Sequence, residues 1–224
     1  ANVSWAALRD PAHVDWADAC RIAGKLLADG QPVLVGLGDA GFRLSSWDGV
    51  NDAARELPCP GWDAEARLFA RSLGCEGSSL SEAHRWAHAV CAALVRATCR
   101  TLGRRMDALA HLCDDPPGKS GDVSPGNTRA PVSRLWAGKC SDGFCCDGEA
   151  ALVTLVAPAG ECAVVKVGDG SNSVGPDQVL VVPGPALEWA TAGRAKQAAW
   201  HIGTGLPVFV LAYLPRPEAA VDRA

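Results

Sequence analysis

Apolar positions along this chain follow a helical rhythm in parts of the first half and gather into short β-rich runs in the second. From Asp15 to Ala28, Trp16, Ala19, Cys20, Ala23, Leu26 and Leu27 recur at helical spacing, and Gly30 ends the run. Val33-Leu34-Val35-Gly36-Leu37 then forms a short apolar run with the character of a buried strand. Between Ser45 and Gly77 the pattern is weak and punctuated by Pro58, Pro60 and Gly61, which predicts short helices and loop. Ser79, followed three residues later by Glu82, has the form of a capping box. Behind it, Trp86, Val90, Ala93, Leu94, Ala97, Leu102, Met106 and Leu109 predict one long helix packed on a sheet.

Asp114 to Arg129 is rich in Pro, Gly and Ser and predicts a loop or linker. After Pro131 the runs become short and β-rich: Ser133 to Ala137, Ala151 to Ala157, Ala163 to Val167, Gln178 to Val182 and Val208 to Leu214. Short strands parted by turns such as Gly168-Asp169-Gly170 indicate an antiparallel sandwich or barrel. The expected organisation is one domain over residues 1–224. It has an N-terminal helical and αβ part at 1–113, a loop at 114–130 and a β part at 131–217. With 224 residues and 48% hydrophobic content, one substantial core suffices.

Composition narrows the function classes. A net charge of -4, with arginines scattered along the chain, provides no basic field for nucleic acid. No apolar run reaches the roughly 18 residues of a membrane span, because Asp29, Gly30, Pro183 and Glu188 interrupt the candidates. The chain opens at Ala1 without a Met or a charged-then-apolar leader, so a processed organellar protein is expected beside a cytoplasmic one. Ten cysteines repeat no C-x-x-C framework and read mainly as small buried hydrophobes, with one or two disulfides. His84 and His88 stand one turn apart, but without a neighbouring Glu or third ligand they read as a helix face rather than a zinc site. Gly118-Lys119-Ser120 ends like a phosphate-binding loop, yet Cys113 occupies the place of its first Gly and no strand precedes it.

The order of pieces from Phe144 to Pro215 carries more information. F-C-C-D-G-E-A-A-L-V-T-L-V is followed by V-V-K-V-G-D-G, by V-L-V-V-P-G-P-A-L-E-W-A-T-A-G-R-A-K-Q-A-A-W-H-I, and by V-F-V-L-A-Y-L-P. This order resembles the C-terminal half of the isopenicillin N synthase-like branch of the 2-oxoglutarate/Fe(II) dioxygenases. The helix, strand and Gly-containing loop at the N-terminus resemble how that branch begins. The implied fold class is α+β with a mainly β core, a double-stranded β-helix (jelly-roll, cupin-like) barrel with N-terminal helices and one long supporting helix.

The resemblance also places the family's iron site, where a facial triad of two His and one carboxylate leaves open positions for the co-substrate. Counted back from Thr154-Leu155-Val156, the H-x-D pair falls on Asp147 and Glu149. The G-R-x-x-S-x-x-H pattern is matched by Gly193 to Trp200, so Trp200 stands at the distal His position and His201 one residue beyond it. On a strand that displacement turns His201 to the opposite face. The R-x-S pair that holds the 2-oxoglutarate carboxylate falls on Leu206-Pro207-Val208, which has no guanidinium.

Turn and core positions are kept while Asp147, Glu149, Trp200, Leu206 and Val208 replace the chemistry. The resemblance therefore implies an inactive barrel with no catalytic, cofactor-binding or metal residues. The expected role is a structural or assembly subunit of a larger, organellar (respiratory or photosynthetic) complex, binding protein partners through some of its eight tryptophans, with peripheral membrane association through that complex. One alternative is a divergent Fe(II) or Mn(II) oxidoreductase using Asp147, Glu149 and His201, since Glu149 precedes His201 by 52 residues, 201 minus 149. Another is a small-molecule binding protein or cofactor-free enzyme whose barrel mouth is lined by Trp200 and Trp189, with Cys145 and Cys146 as structural thiols.

Overall fold

The computed structural model describes residues 2–38, 79–113, 133–139, 150–158, 162–203 and 207–215. The weakly patterned 45–77 stretch, the 114–130 loop, Cys145, Cys146, Asp147, Glu149 and Leu206 lie outside the described residues, as do the side chains of Glu82, His84 and Trp136.

The chain starts with β1 (Asn2–Ser4), α1 (Trp5–Arg9), α2 (Trp16–Ala28) and β2 (Val33–Gly36). Next come α3 (Ser79–Thr101), a short 3-10 turn at Ala110–Leu112, and β3 (Ser133–Lys139). The remaining elements are β4 (Val153–Pro158), β5 (Ala163–Val167), β6 (Gly170–Val174), β7 (Gln178–Pro183), α4 (Pro185–Ala190), β8 (Trp200–Ile202) and β9 (Pro207–Tyr213). Six strands form one sheet in the order β1-β2-β7-β4-β9-β3, and β6-β5-β8 form a second. Only β1 and β2 run parallel among the described pairs. The described strands make two facing sheets and do not close into a barrel.

Three layers follow from where the apolar residues point. Every residue of β4 is buried, because helices cover one face of the large sheet and the small sheet covers the other. Leu155 stands between Val181 and Leu211 in the ladder, and all three join α2 and α3 in one core. Val156 stands between Leu180 and Val210, and these three pack with Val165, Ile202 and Trp200 from the small sheet. The small sheet has one covered face only, so β5 alternates buried Ala163, Val165 and Val167 with exposed Val164 and Lys166.

Three helices end in the same way. After α2, the amide of Gly30 donates to the Leu27 carbonyl and that of Gln31 to Leu26, with Gly30 at φ 73°. After α3, Gly103 donates to Arg100 and Arg104 to Cys99, with Gly103 at φ 70°. After α4, Ala192 donates to Trp189 and Gly193 to Glu188, with Ala192 itself at φ 53°. Each pair of bonds satisfies carbonyls at the helix end and turns the chain sharply. The stop at Gly103 corrects the expected length of α3, since Leu102, Met106 and Leu109 continue the apolar spacing but lie beyond the helix. The sequence reading also missed β1, α1 and β6. Cys20, Cys91, Cys99 and Cys162 are free thiols, the first three buried, and burial pushes Cys20, Cys91 and Cys99 above their ordinary range. No helix among the described residues is long and apolar enough to cross a membrane.

The contact of α2 with α3 depends on a missing side chain. A Cβ on Gly24 would overlap the Ala97 carbonyl and the Thr101 hydroxyl. Alanine there would raise helix propensity by up to about 1 kcal/mol, but the overlap with backbone outweighs that gain. Gly24→Ala should lower the urea unfolding free energy by about 1–3 kcal/mol.

Candidate functional site

The chain between β7 and β8 is held by a compact set of bonds that delivers β8 in one register. Buried Thr191 donates its hydroxyl to the Leu187 carbonyl at 2.8 Å and accepts the Ala195 amide at 2.9 Å. Arg194 donates to the Leu102 carbonyl at 2.8 Å, tying this corner to the end of α3. The Gln197 amide donates to the Glu188 carboxylate at 3.0 Å, and the Ala198 amide to the Pro183 carbonyl at 3.1 Å. The chain then enters β8 with Trp200 opposite Val167, His201 opposite Lys166 and Ile202 opposite Val165.

That ladder is regular through all three residues, so side-chain direction follows from alternation alone. Trp200 and Ile202 point between the sheets into the cluster with Val156, Val182, Val208 and Val210. Trp200 is 9% exposed and Val208 fully buried. His201 lies on the outer face beside Lys166, half-buried. No bulge brings the imidazole inward. The set Asp147, Glu149 and His201 is therefore not assembled by the described residues, since two members lie outside them and the third faces away from the sheet interior. Among the described residues no three His, Cys, Asp or Glu side chains converge as a metal site. Of the other expected positions, Leu206 lies outside the described residues, and Trp189 is 43% exposed on α4.

A concave region lies on the other side of the large sheet. Helices α1, α2 and α3, the turns after α3 and the end of β9 enclose a cavity of about 470 Å³. Trp5, Trp16 and Leu109 form apolar walls, Arg9 and Arg96 supply guanidiniums, and Tyr213 is also part of the lining. Tyr213 is 1% exposed, and its ring meets His88 edge-on with centroids 4.9 Å apart. His88, expected on a solvated helix face, is buried at 5% exposure. Burial pushes the Tyr213 phenol well above its ordinary pKa, with the Cys113 thiol beside it adding to the shift, so the hydroxyl stays neutral and able to donate. Sequence reasoning missed this region because its residues come from four separate elements and form no local motif. The one usable signal was Tyr213, the only tyrosine in the chain, at the end of an apolar strand.

The sequence matches no family model and no curated protein sequence. Solved structures do match over nearly the whole chain. A full-length Neurospora crassa protein, in complex with alpha-KG and 5-formyluracil, superposes with a TM-score of 0.63 at 9% identity, covering 96% of this chain and 84% of that one. A 2OG-Fe(II) oxygenase family protein from Caulobacter crescentus gives a TM-score of 0.62 at 12% identity, covering 96% and 86%. JOX2 in complex with 2OG, Fe and JA gives 0.59 at 11% identity, covering 97% and 74%. The chain therefore has the double-stranded β-helix fold of the 2OG-Fe(II) oxygenases, in a divergent sequence.

These likenesses correct the expected role. Of the proteins that share the fold, one is described as a 2OG-Fe(II) oxygenase family protein and two were solved with alpha-KG or 2OG and a small organic molecule, and nothing in them supports a structural or assembly subunit. The fold implies an iron, but the β8 residues do not fit a triad with two histidines. An indole at Trp200 offers no lone pair to a metal, and the adjacent imidazole is on the wrong face. Trp200→His should therefore take up more Fe(II) than the parent chain by metal analysis, while losing about 2–4 kcal/mol of stability from the vacated space. His201→Ala should leave Fe(II) content at the parent value, whereas a fall would place His201 in a metal site.

Proposed function

We propose that this chain acts on a small organic molecule held within its oxygenase fold, at the β8–β9 end of the space between the sheets. The extent of the likeness carries this reading. It takes in 96% of this chain and 84% of the Neurospora crassa protein, so the helical layer and both sheets are kept together rather than a few strands alone. In the Neurospora crassa protein that architecture holds alpha-KG with 5-formyluracil, and in JOX2 it holds 2OG, Fe and JA.

The residues at this end differ in chemistry from an iron site. Trp200 contributes a flat apolar face and one N–H donor, with apolar Val208 in the same cluster. Such a lining favours a ligand with an apolar or aromatic face and few polar groups. Asp147 and Glu149, which the family resemblance sets at the H-x-D positions, are assigned to polar groups of that ligand. Because β8 does not fit the triad, no step of the reading passes through iron or through 2-oxoglutarate.

The test is ligand-observed NMR and thermal unfolding of the whole chain with thymine, indole and 2-oxoglutarate. Thymine or indole should show saturation transfer and raise the melting temperature. A ligand present at 100 times its Kd adds about 2.7 kcal/mol. Asp147→Asn and Glu149→Gln should weaken thymine binding while leaving the unliganded melting temperature near the parent value. Folded protein that binds neither thymine nor indole would sink the reading.

A further inference from the structure

The cavity under α3 is separate from the space between the sheets, because successive residues of β9 point to opposite faces. Val208, Val210 and Ala212 face the small sheet, whereas Phe209, Leu211 and Tyr213 face the helices. A ligand in this cavity would touch Tyr213 and none of Trp200, Ile202 or Val208.

We propose that this cavity is a second binding site, and that it takes a small organic monocarboxylate with an aromatic or apolar body. Its size, about 470 Å³, falls within the range of small-molecule pockets. Arg96 lines it together with Arg9, and no Asp or Glu does among the described residues. Arg96 projects from α3 and is exposed, so its guanidinium meets solvent as well as the cavity. A guanidinium pairs with a carboxylate through two parallel hydrogen bonds, a geometry that an amide of the same shape cannot reproduce.

Tyr213 is the second, independent observation. Its side chain is almost wholly buried, it lines the cavity, and its hydroxyl has no oxygen or nitrogen partner among the described residues. The Cys113 thiol beside it is only a weak partner for a hydroxyl. A buried hydroxyl left poorly matched is destabilising, and an acceptor entering the cavity would relieve that. Arg96 lies close enough to the phenol to oppose the upward shift of its pKa. One carboxylate can therefore meet a guanidinium and a neutral O–H donor together. The rings of Trp5 and Trp16 and the side chains of Leu8 and Leu109 leave apolar surface for the rest of the molecule.

Indole-3-propionate and its neutral amide are the probes, titrated into the full chain by calorimetry. The carboxylate should bind at least tenfold more tightly than the amide. Arg96→Ala, a change at an exposed position, should weaken the carboxylate about tenfold and leave the amide unchanged. Tyr213→Phe removes a poorly matched hydroxyl, so it should keep or raise the melting temperature while weakening the carboxylate. Equal affinity for acid and amide, or binding indifferent to both substitutions, overturns the proposal. Carboxylate binding that is lost in Trp200→Phe but kept in Arg96→Ala also overturns it, by placing the ligand between the sheets. That last outcome leaves the reading of the β8–β9 site standing.

Discussion

The large sheet is buried on both faces, and the two-residue alternation of its strands decides what every layer contains. In β4, β7 and β9, neighbouring residues cannot share a face. Leu155, Val181 and Leu211 therefore go to the helices, and Val156, Leu180 and Val210 to the small sheet. A register slip of one residue would exchange the two sets. It would bring the larger Phe209 and Tyr213 between the sheets and the smaller Val210 and Ala212 under α3. The register is thus specified by which face each residue fills as well as by hydrogen bonds.

The same alternation governs the inter-sheet cluster and the cavity under α3. On β8 it turns Trp200 inward and His201 outward, and three consecutive ladder pairs leave no bulge to reverse them. On β9 it sends Val208 to one region and Tyr213 to the other. The consequence on β8 is that an indole, and not the neighbouring imidazole, faces the interior between the sheets. The likeness in fold to these structures extends over almost the full chain.

Much of the architecture was legible because period and turn chemistry agree with the final packing. The runs at Ala163 to Val167 and Gln178 to Val182 form β5 and β7 nearly to the residue. Residues 16–28 form α2, ending before Gly30 as expected. The failures have identifiable causes. β1 has three residues and exists by pairing in parallel with β2, a long-range event without a local signature. β6, Gly-Ser-Asn-Ser-Val, is mostly polar because it edges the small sheet with its outer positions in solvent. The helix α3 was overextended because apolar spacing continues through Leu102, Met106 and Leu109, and those residues remain in apolar surroundings after the turn at Gly103.

By itself the sequence determined a helical first part, a β-rich second part, and the absence of an imidazole at the position before His201. These follow from local periodicity and from residue identity, which no packing can change. Only the tertiary structure decided that β8 runs without a bulge, that His88 is buried against Tyr213, and that Arg9, Arg96 and Tyr213 share one cavity. Those residues are far apart in the chain, and they meet because α1, α3 and β9 stack around the same apolar core. A contact between distant segments depends on how layers pack, and that information is spread over the whole sequence rather than carried by any motif.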